Sequence, residues 1–128
     1  MTAPKWAQDL VIKVALESGL NDLPDLIWRR SDRKYTGGVY HRQRILPYQP
    51  RPPRIVITAG HDRIDQKLAL LHELAHWISN EGHTPRFWST AWELFRHHHI
   101  PIRYAKRREG EYRKGALVAY RKAKEGRP

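Results

Sequence analysis

The chain has 128 residues, the length of one domain with a modest core, and a net charge of +11. Hydrophobic residues make up 40% and charged residues 29%, an ordinary globular composition, and no apolar run approaches the length of a membrane span. There is no Cys, which excludes disulfides and limits any metal to nitrogen and oxygen ligands.

Residues 3–18 are expected to be an amphipathic helix. Trp6, Leu10 and Val14 recur at helical spacing beside Ala7, Val11 and Ala15, and Gly19 is the stop signal. Asp9 and Lys13 interrupt this stretch, unlike the apolar segment of a signal peptide, so a cytoplasmic location is the expectation. LIWRR (26–30) is a short strand candidate, SDRKYTGG a polar turn, and VYHRQ (39–43) the returning strand. Four prolines in 47–53 forbid helix there. RIVITA (54–59), β-branched and bounded by Pro53 and Gly60, is the clearest strand.

A helix capped by Asp62 or Asp65 then runs through QKLALLHELAHWISN toward Gly82. It is apolar nearly all round, which marks a buried central helix. Thr84 and Pro85 have the character of an N-cap and first position for a further helix to about His99. Its apolar stripe is Phe87, Trp88, Ala91, Trp92 and Phe95, with Trp88 and Trp92 read as core. A last, basic helix is expected over 111–125.

The chemistry is concentrated in LLHELAHWISNEGHTPRFW (70–88). Residues four apart on a helix lie about 40° apart around the axis, so His72 and His76 face the same way and can grip one ion. Glu73 is displaced beside them, placed for a metal-bound water. This is the logic of H-E-x-x-H, with two zinc-binding imidazoles and a carboxylate general base. Both histidines and the glutamate interrupt the most apolar helix of the chain, and burying them without partners would cost several kcal/mol. A catalytic zinc takes three protein ligands and keeps one place open. The metzincin pattern fails, because Ser79 and Gly82 stand where Gly and His are required and Met1 is the only Met. The candidates for the third ligand are His83, which follows a turn at Gly82 and precedes a helix, and Glu93. The run His97–His98–His99 is read as a solvated helix end, because consecutive helical residues diverge by about 100°.

The charge is uneven. From Arg29 to Arg54 there are eight Lys/Arg against one Asp, which is +7; from Arg103 to Pro128 there are ten against three acids, again +7. Segments 29–54 and 103–128 are therefore candidate contacts for DNA.

HELAHW followed by EGHTPRFW resembles the SprT-like zinc metallopeptidases, whose motif continues from H-E-x-x-H to G-H-x-x-x-F, and is similar to the related WLM and YgjP-like small peptidases. The resemblance covers roughly residues 26–100. It implies Zn²⁺ held by His72, His76 and His83, and Glu73 as the catalytic base. It also implies a small α+β zincin domain: an N-terminal helix, a three-stranded sheet, the active helix and a supporting helix. On this reading residues 1–102 form the metallopeptidase domain and 103–128 a basic, helical tail. The chain departs from the family in lacking a Cys-rich ribbon and in having Thr84 where a second Gly often follows the histidine.

The expected function is zinc-dependent hydrolysis of peptide bonds in protein substrates, associated with DNA. The edge strand Ile55–Thr58 is expected to hold extended substrate, and Tyr40, His41, His97 and Tyr104 are candidates for oxyanion stabilisation. The alternative is a basic nucleic-acid-binding module with a structural zinc. A monomer is expected in either case.

Overall fold

A computed structural model describes residues 2–31, 36–41 and 53–112. These form a small α+β domain in the order α1 (Lys5–Glu17), β1 (Asp25–Arg30), β2 (Gly37–His41), β3 (Arg54–Ala59), α2 (Arg63–Ser79), α3 (Pro85–His97) and α4 (Ile102–Tyr112). Residues 32–35 of the polar turn, residues 42–52 with the proline-rich stretch up to Pro52, and everything after Tyr112 lie outside the described residues.

α1 buries Ala7, Leu10, Val11, Val14 and Ala15, the stripe expected of it. It ends where Gly19 enters the left-handed region at φ +69°, and Leu20 N–H closes back on the Ala15 carbonyl at 2.9 Å. Trp6 meets Trp28 of β1 edge-on at 5.7 Å, joining α1 to the sheet.

The sheet order is β1-β3-β2, with β3 parallel to β1 and antiparallel to β2. Two expectations need correction. The strand at 39–43 does not return along β1 but pairs with β3, and it begins at Gly37. Ile55–Thr58 is not an edge but the centre of the sheet. The physical reason is burial: β3 alternates Ile55, Ile57 and Ala59 into the core, and a strand this apolar is best covered on both sides. Among the described residues the edges are β1 and β2, and β2 lies against α2.

α2 is the central helix. Leu68, Leu70, Leu71, Leu74 and Ala75 are buried together with Glu73, His76 and Ser79. Asp62 occupies the N-cap position without a side-chain cap bond, and Asp65 instead meets Arg108 of α4 at 3.3 Å. The helix stops earlier than expected. Asn80, at φ 57°, makes the left-handed turn, and its N–H reaches the His76 carbonyl at 2.9 Å. Asn tolerates this conformation through its short polar side chain, so Gly82 is not needed for it.

α3 starts as expected: the Thr84 hydroxyl accepts from Phe87 N–H at 3.3 Å and Pro85 occupies the first turn. Its five stripe residues, Trp88 and Trp92 among them, are all buried. α4 begins at Ile102, just after Pro101, and Ala105 N–H bonds to the Pro101 carbonyl at 3.0 Å. Ala105 and Glu109, one turn apart, are buried, so a boundary at 102/103 falls at the start of an element that packs on the domain. The helix expected beyond Tyr112 lies outside the described residues.

Candidate metal centre

His72 and His76 stand one turn apart on α2, with ring centroids 5.1 Å apart. Beyond them the chain is constrained twice, by the left-handed Asn80 and by the Thr84 cap. Thr84 also donates to Glu81 Oε2 at 3.0 Å, which ties the short connection to itself. His83 sits between these fixed points and comes back over the first two rings, 5.3 Å from His72 and 4.7 Å from His76 by centroid. Each imidazole offers a nitrogen within 4.8 Å of those of the other two.

The donor set fits zinc. Nε2 of His72 and Nε2 of His83 are 3.2 Å apart; two nitrogens at about 2.0–2.1 Å from a tetrahedral Zn²⁺ would be separated by about 3.3 Å. The opposite nitrogens are held by oxygen acceptors. His72 Nδ1 lies 3.0 Å from both carboxylate oxygens of Glu109 on α4. His76 Nδ1 lies 2.8 Å from the backbone carbonyl of Glu81. A proton on Nδ1 donated to such an oxygen sets the tautomer that presents Nε2 as ligand.

Glu73 is 5% exposed, and its Oε1 lies 4.0 Å from His76 Nε2, close enough to share a water with the imidazole cluster but not in the ring of nitrogens. Space for it comes from β2. A Cβ on Gly38 would sit 2.8 Å from Glu73 Cγ and 2.9 Å from its Oε2, so only glycine lets this strand pass the carboxylate. Next along β2, Val39 faces outward and Tyr40 faces in, its ring parallel to His76 at 6.2 Å. Phe87 covers the other part of the cluster, stacked on His76 at 4.1 Å, and Trp88 lies against His83 at 5.7 Å.

The cluster opens into a cleft of about 480 Å³ between β2 and the α2–α3 connection, with His83 exposed at its mouth. A smaller pocket of about 220 Å³ adjoins it on the other side of Glu73, between Gly37, Leu68 and Arg108.

Glu93 takes no part in this group. It is exposed on α3 and ion-paired with Arg96, whose Nη2 lies 2.7 Å from Oε1. Of the four oxyanion candidates, Tyr40 alone is stacked on one of the three clustered imidazoles. His41 is exposed at the end of β2, His97 pairs with Glu17, and the Tyr104 hydroxyl is buried without a hydrogen-bond partner among the described residues. The expectation for His97–His99 needs correction. His98 is 4% exposed rather than solvated, and His97 and His98 both turn to Glu17. They converge because the helix is already ending there, with His98 at φ −99°, ψ 22° and His99 left-handed at φ 64°.

Sequence reasoning missed Glu109, the Glu81 carbonyl and Gly38. Glu109 carried a signal: it is one of three acids in an otherwise basic segment, and a ligating histidine commonly requires a carboxylate behind it. Among the described residues no helix is long and apolar enough to cross a membrane. No family model, curated protein or solved structure matches the chain.

Proposed function

We propose that the protein is a zinc-dependent peptidase of the SprT-like kind, with His72, His76 and His83 as the metal ligands and Glu73 as the general base. The observation that carries the reading is the pairing of an imidazole cluster at ligand spacing with a buried carboxylate just outside it. A purely structural site closes its fourth position and has no use for such a carboxylate.

A zinc ion held by the three imidazoles would supply Lewis acidity, making water nucleophilic near neutral pH and polarising a peptide carbonyl. Glu73 takes a proton from the attacking water as its oxygen bonds to the carbonyl carbon. The C–N bond then breaks, and Glu73 returns the proton to the leaving amine, so the carboxylate ends as it began. Glu109 and the Glu81 carbonyl hold the imidazoles in register. Stabilisation of charge on the carbonyl oxygen is assigned to Tyr40, whose ring lies parallel to His76 on the cleft wall.

Extended substrate is assigned to β2. Its residues Gly38, Val39 and Tyr40 line the cleft, and as a sheet edge it can add a strand by main-chain hydrogen bonding.

The DNA-associated component rests on charge. Arg29 and Arg30 on β1, and Arg103 and Arg107 on α4, are exposed, and the rest of both basic segments extends the same excess. The reading is tested with purified protein, Zn²⁺ and a disordered protein substrate. Cleavage that stops on chelation and returns with Zn²⁺ supports it; no cleavage by zinc-loaded protein, with and without single-stranded DNA, removes it.

A further inference from the structure

Glu17 at the end of α1 and His97 and His98 at the end of α3 form a second group of ligand-type side chains, sharing no residue with the first. Each offers one ligand atom within 4.8 Å of the other two. Glu17 Oε2 contacts His97 Nε2, and Glu17 Oε1 lies 3.6 Å from His98 Nε2. The independent pointer is His98: the residue is 4% exposed, and its Nε2 is buried with no hydrogen-bond partner among the described residues while directed at that carboxylate. A buried ring nitrogen left in this state is a standing cost to the fold, and the segment would be expected to relieve it unless something binds there.

We propose that Glu17, His97 and His98 form a second divalent-cation site of two imidazole nitrogens and one carboxylate oxygen, which staples α1 to α3 when loaded.

The ligand types select the ion. Two imidazoles and a carboxylate suit Zn²⁺, Ni²⁺ or Cu²⁺ and are a poor match for the all-oxygen shells of Ca²⁺ and Mg²⁺. The surroundings limit how tightly it binds. Lys13 and Lys67 both act on His98 and oppose a cation, and Glu17 is the acidic group that offsets them. Lys67 is held beside the site, its Nζ donating to the His98 carbonyl at 2.6 Å. His97 is exposed, which leaves water access to complete the coordination. Burial lowers the His98 pKa, with His97, Lys13 and Lys67 adding to the shift and Glu17 opposing it.

The test is equilibrium dialysis of the full chain against Zn²⁺, with bound metal read by atomic emission. Wild type is expected to hold two ions per chain, a Glu17→Gln/His97→Gln variant one, and a His72→Asn/His76→Asn/His83→Asn variant one. Glu17 and His97 lie at the surface, so the double variant decides the matter even if the triple variant does not fold. A double variant that binds as many ions as wild type overturns the proposal. So does a wild type that binds no zinc. Loss of zinc from the first group alone leaves the second site standing.

Discussion

His72 Nδ1 lies 3.0 Å from both oxygens of Glu109, a residue 37 positions away on the basic helix α4. This contact fixes the His72 ring and fastens α4 to α2 at once. A carboxylate behind a ligating imidazole fixes its tautomer and raises its basicity, and losing one commonly costs about 10–100-fold in metal affinity. Glu109→Ala is therefore expected to weaken Zn²⁺ binding by about that factor. Glu109→Gln, which keeps an acceptor oxygen, is expected to fall between. Competition titration with a chromophoric chelator measures both, and unchanged affinity in Glu109→Ala would remove Glu109 from the site.

Gly38 allows β2 to pass Glu73. The methyl group of Gly38→Ala would overlap Glu73 Cγ, at 2.8 Å, and the carboxylate, which is buried, has little room to retreat. The expected outcome is a fall in kcat of about 100-fold, the scale of a misplaced acid–base group, with Zn²⁺ stoichiometry retained. Steady-state cleavage beside metal analysis separates the two; full activity would show that Glu73 is not held by this contact.

His98 makes stability depend on pH. Burial lowers its pKa below 6.5, with His97, Lys13 and Lys67 adding to the shift and Glu17 opposing it. Because the unfolded chain binds this proton more readily, the contribution is complete above pH 6.5. It is lost as pH falls from there through the folded-state value. In chelator-treated buffer, His98→Gln should flatten the decline in unfolding free energy on acidification below pH 6.5 relative to wild type. Parallel curves for the two proteins would show that His98 is not the group responsible.

The basic segments predict salt-dependent association with DNA. Phosphate contacts release counterions, so log affinity should fall linearly with log salt, with a slope of about −0.7 per contact for single strands. Charge reversal at exposed Arg103 and Arg107 should reduce that slope by roughly one to two units. A slope near zero in wild type would mean that these segments do not track phosphates.

Much of the local structure was legible in the sequence because it depends on neighbours. The stripe of α1, the Thr84–Pro85 start of α3, the β-branched run of β3 and the shared face of His72 and His76 all follow from spacing of a few residues. What escaped was non-local. The pairing of β1 with β3 joins segments separated by the whole of β2, and the Glu109 contact joins the two ends of the second half. Local rules also misplaced two turns. Asn80, not Gly82, ends α2, and the end of α3 lets His97 and His98 converge where an ideal helix would splay them. His83, a choice between two candidates on sequence grounds, is the one that reaches the α2 pair, and Glu93 is exposed beside Arg96.

The central claim is that Glu73 moves protons for peptide-bond hydrolysis beside a three-imidazole zinc site. Glu73→Gln keeps the shape of the side chain and removes its basicity, so bound Zn²⁺ and cleavage rate should be measured on the same preparation. The expected result is wild-type zinc content with at least about a 100-fold loss of cleavage. Wild-type cleavage by a zinc-loaded Glu73→Gln protein would contradict the account.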